Sequence, residues 1–183
     1  MLIAGIDEVG RGCLAGPVVT CAIILKEDFF DERIKDSKKL SKKMREKLYP
    51  YILENTISYG IGVVCPLIID KINILNAVKQ AMHLSLSRLS SPYDKLIVDA
   101  VALNHIDKEY IHPYKADDNY IQVSAASIIA KVYRDRLMER LATIYPFYKW
   151  EKNAGYGTKE HIDAIKECGI TEVHRKSFCK NFI

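Results

Sequence analysis

No apolar run in the 183 residues approaches the roughly 18 needed to cross a bilayer, and no signal segment precedes the first apolar stretch, so a cytoplasmic protein is expected. Cysteine is sparse. Cys13, Cys21, Cys65, Cys168 and Cys179 are odd in number, form no CxxC pair and sit mostly among apolar neighbours, which excludes a disulfide scaffold and a structural zinc site. The five histidines show no HExxH spacing, and neither a Ser-His-Asp arrangement nor a Walker A loop is present, which removes zinc-peptidase, serine-hydrolase and P-loop chemistry. A large charge excess is also missing. With a net charge of +4 and a pI near 8.7, polyanion binding must be argued from where the charges lie. Repeats, low-complexity tracts and linkers are absent, and 49% hydrophobic with 27% charged residues suits one globular domain over residues 1–183.

What remains is a mixture of strands and helices. Leu2 to Asp7 reads as a buried strand, Val18 to Leu25 as a second that could pair with it, and Ser58 to Val64 as a third. Ser41 is an N-cap for a basic helix that Pro50 must kink or end. Leu75, Val78, Met82, Leu86 and Leu89 recur at intervals of three and four, predicting an amphipathic helix from about Asn73 to Ser90, stopped by Ser91-Pro92. Lys95 to Asp99 is a short strand ending in a carboxylate. Residues 111–114 and 120–123 read as extended segments around a polar turn, followed by a long helix from Ser124 to Ile144. Thr158 caps a last helix that stops at Gly169. The class is α/β, with helices packed on a mixed sheet.

Carboxylates collect at the strand ends. Asp7 and Glu8 follow the apolar run Leu2-Ile3-Ala4-Gly5-Ile6, and Asp99 closes another strand, the position where α/β sheets gather ligands. Ser124, Lys131 and Asp135 share one helical stripe, so Asp135 could face the same space. Four such groups repel unless cations neutralise them, and hard oxygen ligands suit Mg²⁺ or Mn²⁺. The bland alternatives are a solvated turn at Asp7-Glu8, a strand-ending hydrogen-bond acceptor at Asp99, and a surface ion pair at Asp135. From Lys35 to Lys47 there are seven basic residues against Asp36 and Glu46, either a phosphate-tracking patch or a solvated helix face. Gly10-Arg11-Gly12 is either a ligand-gripping loop or a tight turn. Gly155-Tyr156-Gly157 either frees a ring as a stacking platform or delivers it to the core.

Taken in order, these blocks resemble the ribonuclease HII family, type 2 ribonuclease H. Gly5-Ile6-Asp7-Glu8-Val9-Gly10-Arg11-Gly12 with Ala15-Gly16-Pro17-Val18 is similar to its opening motif, and Asp36-Ser37-Lys38-Lys39-Leu40-Ser41 to the next. Ile69-Asp70 through Asn73-Ile74 to Ala81-Met82 resembles the helix that follows. Val98-Asp99-Ala100 and the run Ser124 to Val132 with Arg134-Asp135 resemble two later acidic motifs, and Gly155 to Thr158 with His161, His174-Arg175 and Ser177-Phe178 the C-terminal one. The resemblance implies a ribonuclease H-like fold with a central five-stranded mixed sheet flanked by helices. It implies cleavage of RNA in RNA/DNA hybrids and incision 5′ of single ribonucleotides in duplex DNA, as in ribonucleotide excision repair, by two Mn²⁺ or Mg²⁺ ions.

Carried over by position, Asp7, Glu8, Asp99 and Asp135 become the catalytic metal ligands. Gly10, Arg11 and Gly12 would contact the 2′-OH at the ribose–deoxyribose junction, Tyr156 would pack on the adjoining deoxyribose, and Ser37, Lys38 and Lys39 would contact substrate. The related ribonuclease HIII family has Lys in the glycine motif, and Arg11 argues against it. Since Ile183 soon follows Arg175, a helical C-terminal extension, with any clamp-binding tail, is expected to be short or missing. A monomer is expected. The competing class is a noncatalytic hybrid-binding module, which would gain nothing from four carboxylates facing a phosphate.

Overall fold

The computed structural model describes residues 1–35 and 37–183; Asp36, part of the second motif above, lies outside them. Five strands form one sheet: β1 (Ile3–Val9), β2 (Val18–Leu25), β3 (Thr56–Val64), β4 (Lys95–Val98) and β5 (Glu109–Ile111), in the order β3-β2-β1-β4-β5. β1 pairs antiparallel with β2 and parallel with β4, and β2–β3 is antiparallel while β4–β5 is parallel, so the sheet is mixed. Every residue of β2 is buried, because both sheet faces are covered. Val18, Ala22 and Ile24 join the cluster under the helix Ile74–Ser87, whereas Val19, Cys21, Ile23 and Leu25 face the opposite layer.

That opposite layer is built from α1 (Lys42–Glu54) and a 24-residue helix, Ile121–Ile144. Between them along the chain come α2 (Pro66–Ile72), α3 (Ile74–Ser87) and the single turn α4 (Ala116–Asn119), so the long helix is α5. A smaller cluster joins the C-terminal half of α5 to α6 (Trp150–Asn153), α7 (Lys159–Cys168) and α8 (Lys176–Cys179).

Several expectations are met by visible chemistry. Ser41 caps α1 by accepting from the Met44 N–H at 3.2 Å, Asn73 caps α3 through Asn76, and Thr158 caps α7 through His161. Others are corrected. Pro50 neither ends nor breaks α1, because it sits on the solvent side, where water can take the carbonyl bond it cannot make. Residues 120–123 are not an extended segment: Tyr120 is the extended N-cap residue and α5 starts at Ile121, with the polar turn before it wound into α4. β1 runs two residues beyond Asp7, and α3 ends at Ser87, three residues short of Ser90. Among the described residues no helix is long and apolar enough to cross a membrane.

Candidate active site

Asp7 and Glu8 lie within β1, opposite Cys21 and Thr20, rather than in the turn after it. Gly5 brings the long helix onto this strand, since a Cβ there would stand 2.4 Å from the Gln122 backbone carbon. α5 therefore passes directly over Asp7, and Ser127 bonds its carboxyl. The Ser127 hydroxyl in turn meets the Ser37 hydroxyl at 2.8 Å. On the other side, the parallel register pairs Ile6 with Val98, so Asp99 emerges beside Asp7. Asp99 donates its N–H to the Ile6 carbonyl at 3.2 Å and accepts from the Ala116 N–H at 2.8 Å.

This crowding has an electrostatic signature. Burial, then the neighbouring Glu8 and Asp99 charges, push the Asp7 carboxyl well above the usual carboxylate range. Burial also raises Glu8, with Asp99 adding to it, while Arg11 at 3.7 Å and Lys38 pull the other way. Glu8 Oε2 is buried and has no hydrogen-bond partner among the described residues. A set of repelling anions with an orphaned carboxylate oxygen is what a divalent cation would satisfy.

Asp135 stands apart from this trio. Its carboxylate accepts from Lys131 Nζ at 2.7 Å and faces Arg45 at 3.6 Å, and it is not among the charges that perturb Asp7 or Glu8. Eight positions separate it from Ser127 on α5, about 12 Å along the axis. The expected ring of four is thus three carboxylates in electrostatic contact and one held in ion pairs. Among the described residues, no three acidic, histidine or cysteine side chains converge tightly enough to enclose an ion by themselves.

Beside the trio runs the glycine turn. Gly10 has φ +88°, and a Cβ on it would stand 2.2 Å from Arg134 Nε, so both conformation and space demand glycine. Arg11 is exposed and turned toward Glu8. Two fully buried guanidiniums hold this loop from below. Arg175 donates to the carbonyls of Gly10, Arg11 and Gly16 at 2.6 to 3.0 Å, and Arg134 to those of Pro17, Ala15 and Ala154 at 2.7 to 3.0 Å. Burial draws Arg175 down to about 10, with Arg134 contributing to the fall. Arg134 thereby links the glycine turn to the loop that carries Tyr156, whose ring is 39% exposed and lies 5.7 Å from Lys131 Nζ.

A profile of the Ribonuclease HII family matches residues 4–181. The chain belongs to the ribonuclease HII family. It is 50% identical over 182 residues to the ribonuclease HII of Acetivibrio thermocellus, covering 100% of this chain and 71% of that one. The ribonuclease H2 of Pyrococcus horikoshii superposes with a TM-score of 0.83 at 27% identity, covering 100% of this chain and 97% of that one. The Archaeoglobus fulgidus RNase HII, solved in complex with PCNA, gives 0.77 at 28% identity, covering 96% and 94%. Family membership makes the chain a ribonuclease H, a hydrolase, on the α/β fold expected of it.

Within this ribonuclease HII scaffold the basic stretch is neither a bare patch nor an idle surface. Lys38 and Lys39 are exposed, but Lys39 pairs with Asp118, Lys42 with Glu139, Arg45 with Asp135, and Arg136 answers Glu46, which ties the stretch to α4 and α5. A polyanion binding here must compete with those partners. Ser37 is buried rather than presented to a ligand; its place is behind Ser127, and so behind Asp7. Sequence reasoning missed Ser127 as a partner of Asp7 and the burial of Arg134 and Arg175. The only hint was positional, since each lies in a motif that the family resemblance had already picked out.

Proposed function

We propose that the chain hydrolyses the RNA strand of RNA/DNA hybrids and incises 5′ of single ribonucleotides in duplex DNA, leaving 5′-phosphate and 3′-hydroxyl ends. The observation that carries this reading is the Asp7–Glu8–Asp99 set, with Asp7 buried and Glu8 Oε2 orphaned, beside a turn that exposes Arg11 and Gly12. Asp7, Glu8 and Asp99, with Asp135 released from Lys131 and Arg45, would hold Mg²⁺ or Mn²⁺. Two such ions would supply an activated water and charge neutralisation at the leaving oxygen.

The chain's own groups supply the rest. A Cβ on Gly12 would meet nothing within 4 Å, so the fold makes no steric demand for glycine there; the open space suits close approach of a sugar to the backbone. Arg11 is placed to grip the neighbouring phosphate or sugar edge. Tyr156 offers a half-exposed face for the adjoining deoxyribose, and Lys38 and Lys39 reach toward the backbone. Ser37 is assigned to holding Ser127 and Asp7. Incubating a duplex that contains one ribonucleotide with the protein and Mn²⁺ should yield one incision, on its 5′ side. Binding without incision would favour the noncatalytic module.

Two variants test the substrate-binding half. Tyr156→Ala should lose roughly 1 to 3 kcal/mol of packing, or about 5- to 150-fold in kcat/KM. The loss should be larger on a single embedded ribonucleotide than on a long hybrid, with far-UV circular dichroism confirming the fold. Equal losses on the two substrates would make Tyr156 a structural residue. Replacing Lys38, Lys39 and Lys42 together by Ala should weaken binding to hybrid and plain duplex alike, and flatten the salt dependence by up to about 0.9 in slope per lost phosphate contact. An unchanged slope would reduce the segment to its ion pairs with α4 and α5.

A further inference from the structure

Trp150, His161 and His174 are almost wholly buried and hydrogen-bonded in a chain that ends on Tyr156. The direction of each bond follows from the donors that have no choice. An indole N–H can only donate, and Trp150 Nε1 is 3.0 Å from His161 Nε2, so that nitrogen is the acceptor. In the neutral ring the proton then sits on Nδ1, which donates to the Tyr156 carbonyl at 2.9 Å. On the far side the Thr171 N–H donates to His174 Nδ1 at 3.0 Å, which leaves the second ring's proton on Nε2, 3.1 Å from His161 Nε2. Both imidazoles are neutral, and each is confined to one tautomer.

The surroundings agree. Tyr148 packs edge-on against both rings, with its hydroxyl turned away to the Gly169 carbonyl, and Thr171 Oγ1 lies 3.0 Å from His174 Nδ1. Glu172, two residues before His174, accepts from the Tyr145 hydroxyl instead. Burial lowers His161, and burial together with His161 lowers His174 to about 4.

We infer that the His161–His174 pair is the positioning device for Tyr156, anchoring its carbonyl oxygen and tying it to the 171–174 turn. The Tyr156 carbonyl also accepts the Thr158 N–H at 2.8 Å, so the whole bend closes on one oxygen. Tyr156 is flanked by Gly155 and Gly157, which restrain the backbone little. Without the Nδ1–H donor the bend would keep the Thr158 bond and the Tyr156 N–H bond to the Asn153 carbonyl at 2.9 Å, but would lose its tie to the 171–174 turn. This inference rests on the reading that Tyr156 packs against the substrate sugar, and its test separates the two.

In the full chain, His161→Phe keeps a ring but removes the donor, while His161→Asn offers an amide N–H near the Nδ1 position. His161→Phe should reduce kcat/KM on the single-ribonucleotide duplex by about 5- to 150-fold, the range given for Tyr156→Ala, with the loss mainly in KM. Adding Tyr156→Ala to it should cost no more than about twofold further, because the two changes remove one contact. His161→Asn should restore most of the activity. A readout apart from activity is the ¹³C resonance of the labelled Tyr156 ring, expected to move in His161→Phe and return in His161→Asn. ¹⁵N spectra of the unaltered protein should show the proton on Nδ1 of His161 and on Nε2 of His174. An unmoved Tyr156 resonance, multiplicative losses in the double variant, or a proton on His161 Nε2 would overturn the inference, the last even if His161→Phe does not fold. If Tyr156→Ala alone costs nothing while its resonance still moves in His161→Phe, the sugar-packing reading fails and the positioning stands.

Discussion

Asp7→Asn is expected to abolish cleavage and to leave hybrid binding intact. The amide keeps the shape and the oxygen that accepts the Glu8 N–H at 2.7 Å, but removes the charge that would hold a divalent ion. If several kcal/mol of charge stabilisation go with it, the loss is roughly a thousandfold or more. A second readout comes from linkage. The folded pKa of Asp7 is raised above the ordinary value of about 3.9, so the folded state binds the proton more tightly than the unfolded one. Stability is then fully present below about pH 4 and is lost as pH rises through the folded pKa. Without divalent ions, Asp7→Asn should therefore melt above the parent at neutral pH, by roughly 2 to 4 °C for each kcal/mol of relieved repulsion. The difference should close near pH 4. Mn²⁺ should raise the melting temperature of the parent and not of the variant. Cleavage by the variant, or an equal response to Mn²⁺, would remove Asp7 from the metal site.

The second large effect is expected at Arg175. Arg175→Ala leaves the carbonyls of Gly10, Arg11 and Gly16 without their donor in a buried place and opens a void beneath the turn. Unsatisfied buried groups and lost packing of this kind cost roughly 3 to 5 kcal/mol, a fall of about 6 to 20 °C in Tm. Arg175→Lys should recover less than half of the loss, since a single ammonium cannot reproduce the fork that spans three carbonyls. Thermal unfolding of the two variants decides the matter. A lysine variant as stable as the parent would mean that the forked bonds are not what holds the turn.

The parts of the fold that were legible are those whose side chains carry a period. β2 is an unbroken apolar run because both faces of a central strand are covered, and α3 shows its three-and-four spacing because one face meets the sheet. β1 was read as ending at Asp7 because polar residues interrupt the pattern, yet the backbone ladder continues past them to Val9 regardless of what the side chains are. Residues 120–123 misled for the opposite reason, since a short apolar run has the same look in a strand as at the start of a buried helix.

The site was legible to the extent that acidic residues announce themselves. Asp7, Glu8 and Asp99 were visible because two apolar strands lead into them, and the parallel register that pairs Ile6 with Val98 sets Asp7 and Asp99 side by side. The ion pairs that hold Asp135 were half visible, in Lys131 one turn earlier, but Arg45 comes from a helix distant in sequence. Arg134 and Arg175 could not be read as buried, because their partners are backbone carbonyls, which every residue possesses and no residue type advertises. The burial of Ser37 is hidden for a related cause: a hydroxyl beside lysines looks exposed in the sequence, and its partner Ser127 lies 90 residues away along the chain.

The fork of Arg175 on Gly10 spans 165 residues of chain. Synthesis proceeds at roughly 5 to 20 residues per second, so the carboxylates of β1 emerge from the ribosome roughly 10 to 30 s before the guanidinium that sets the adjoining turn. A nascent chain consequently possesses its acidic residues long before it possesses a shaped glycine turn, which is set only once Arg175 has been translated.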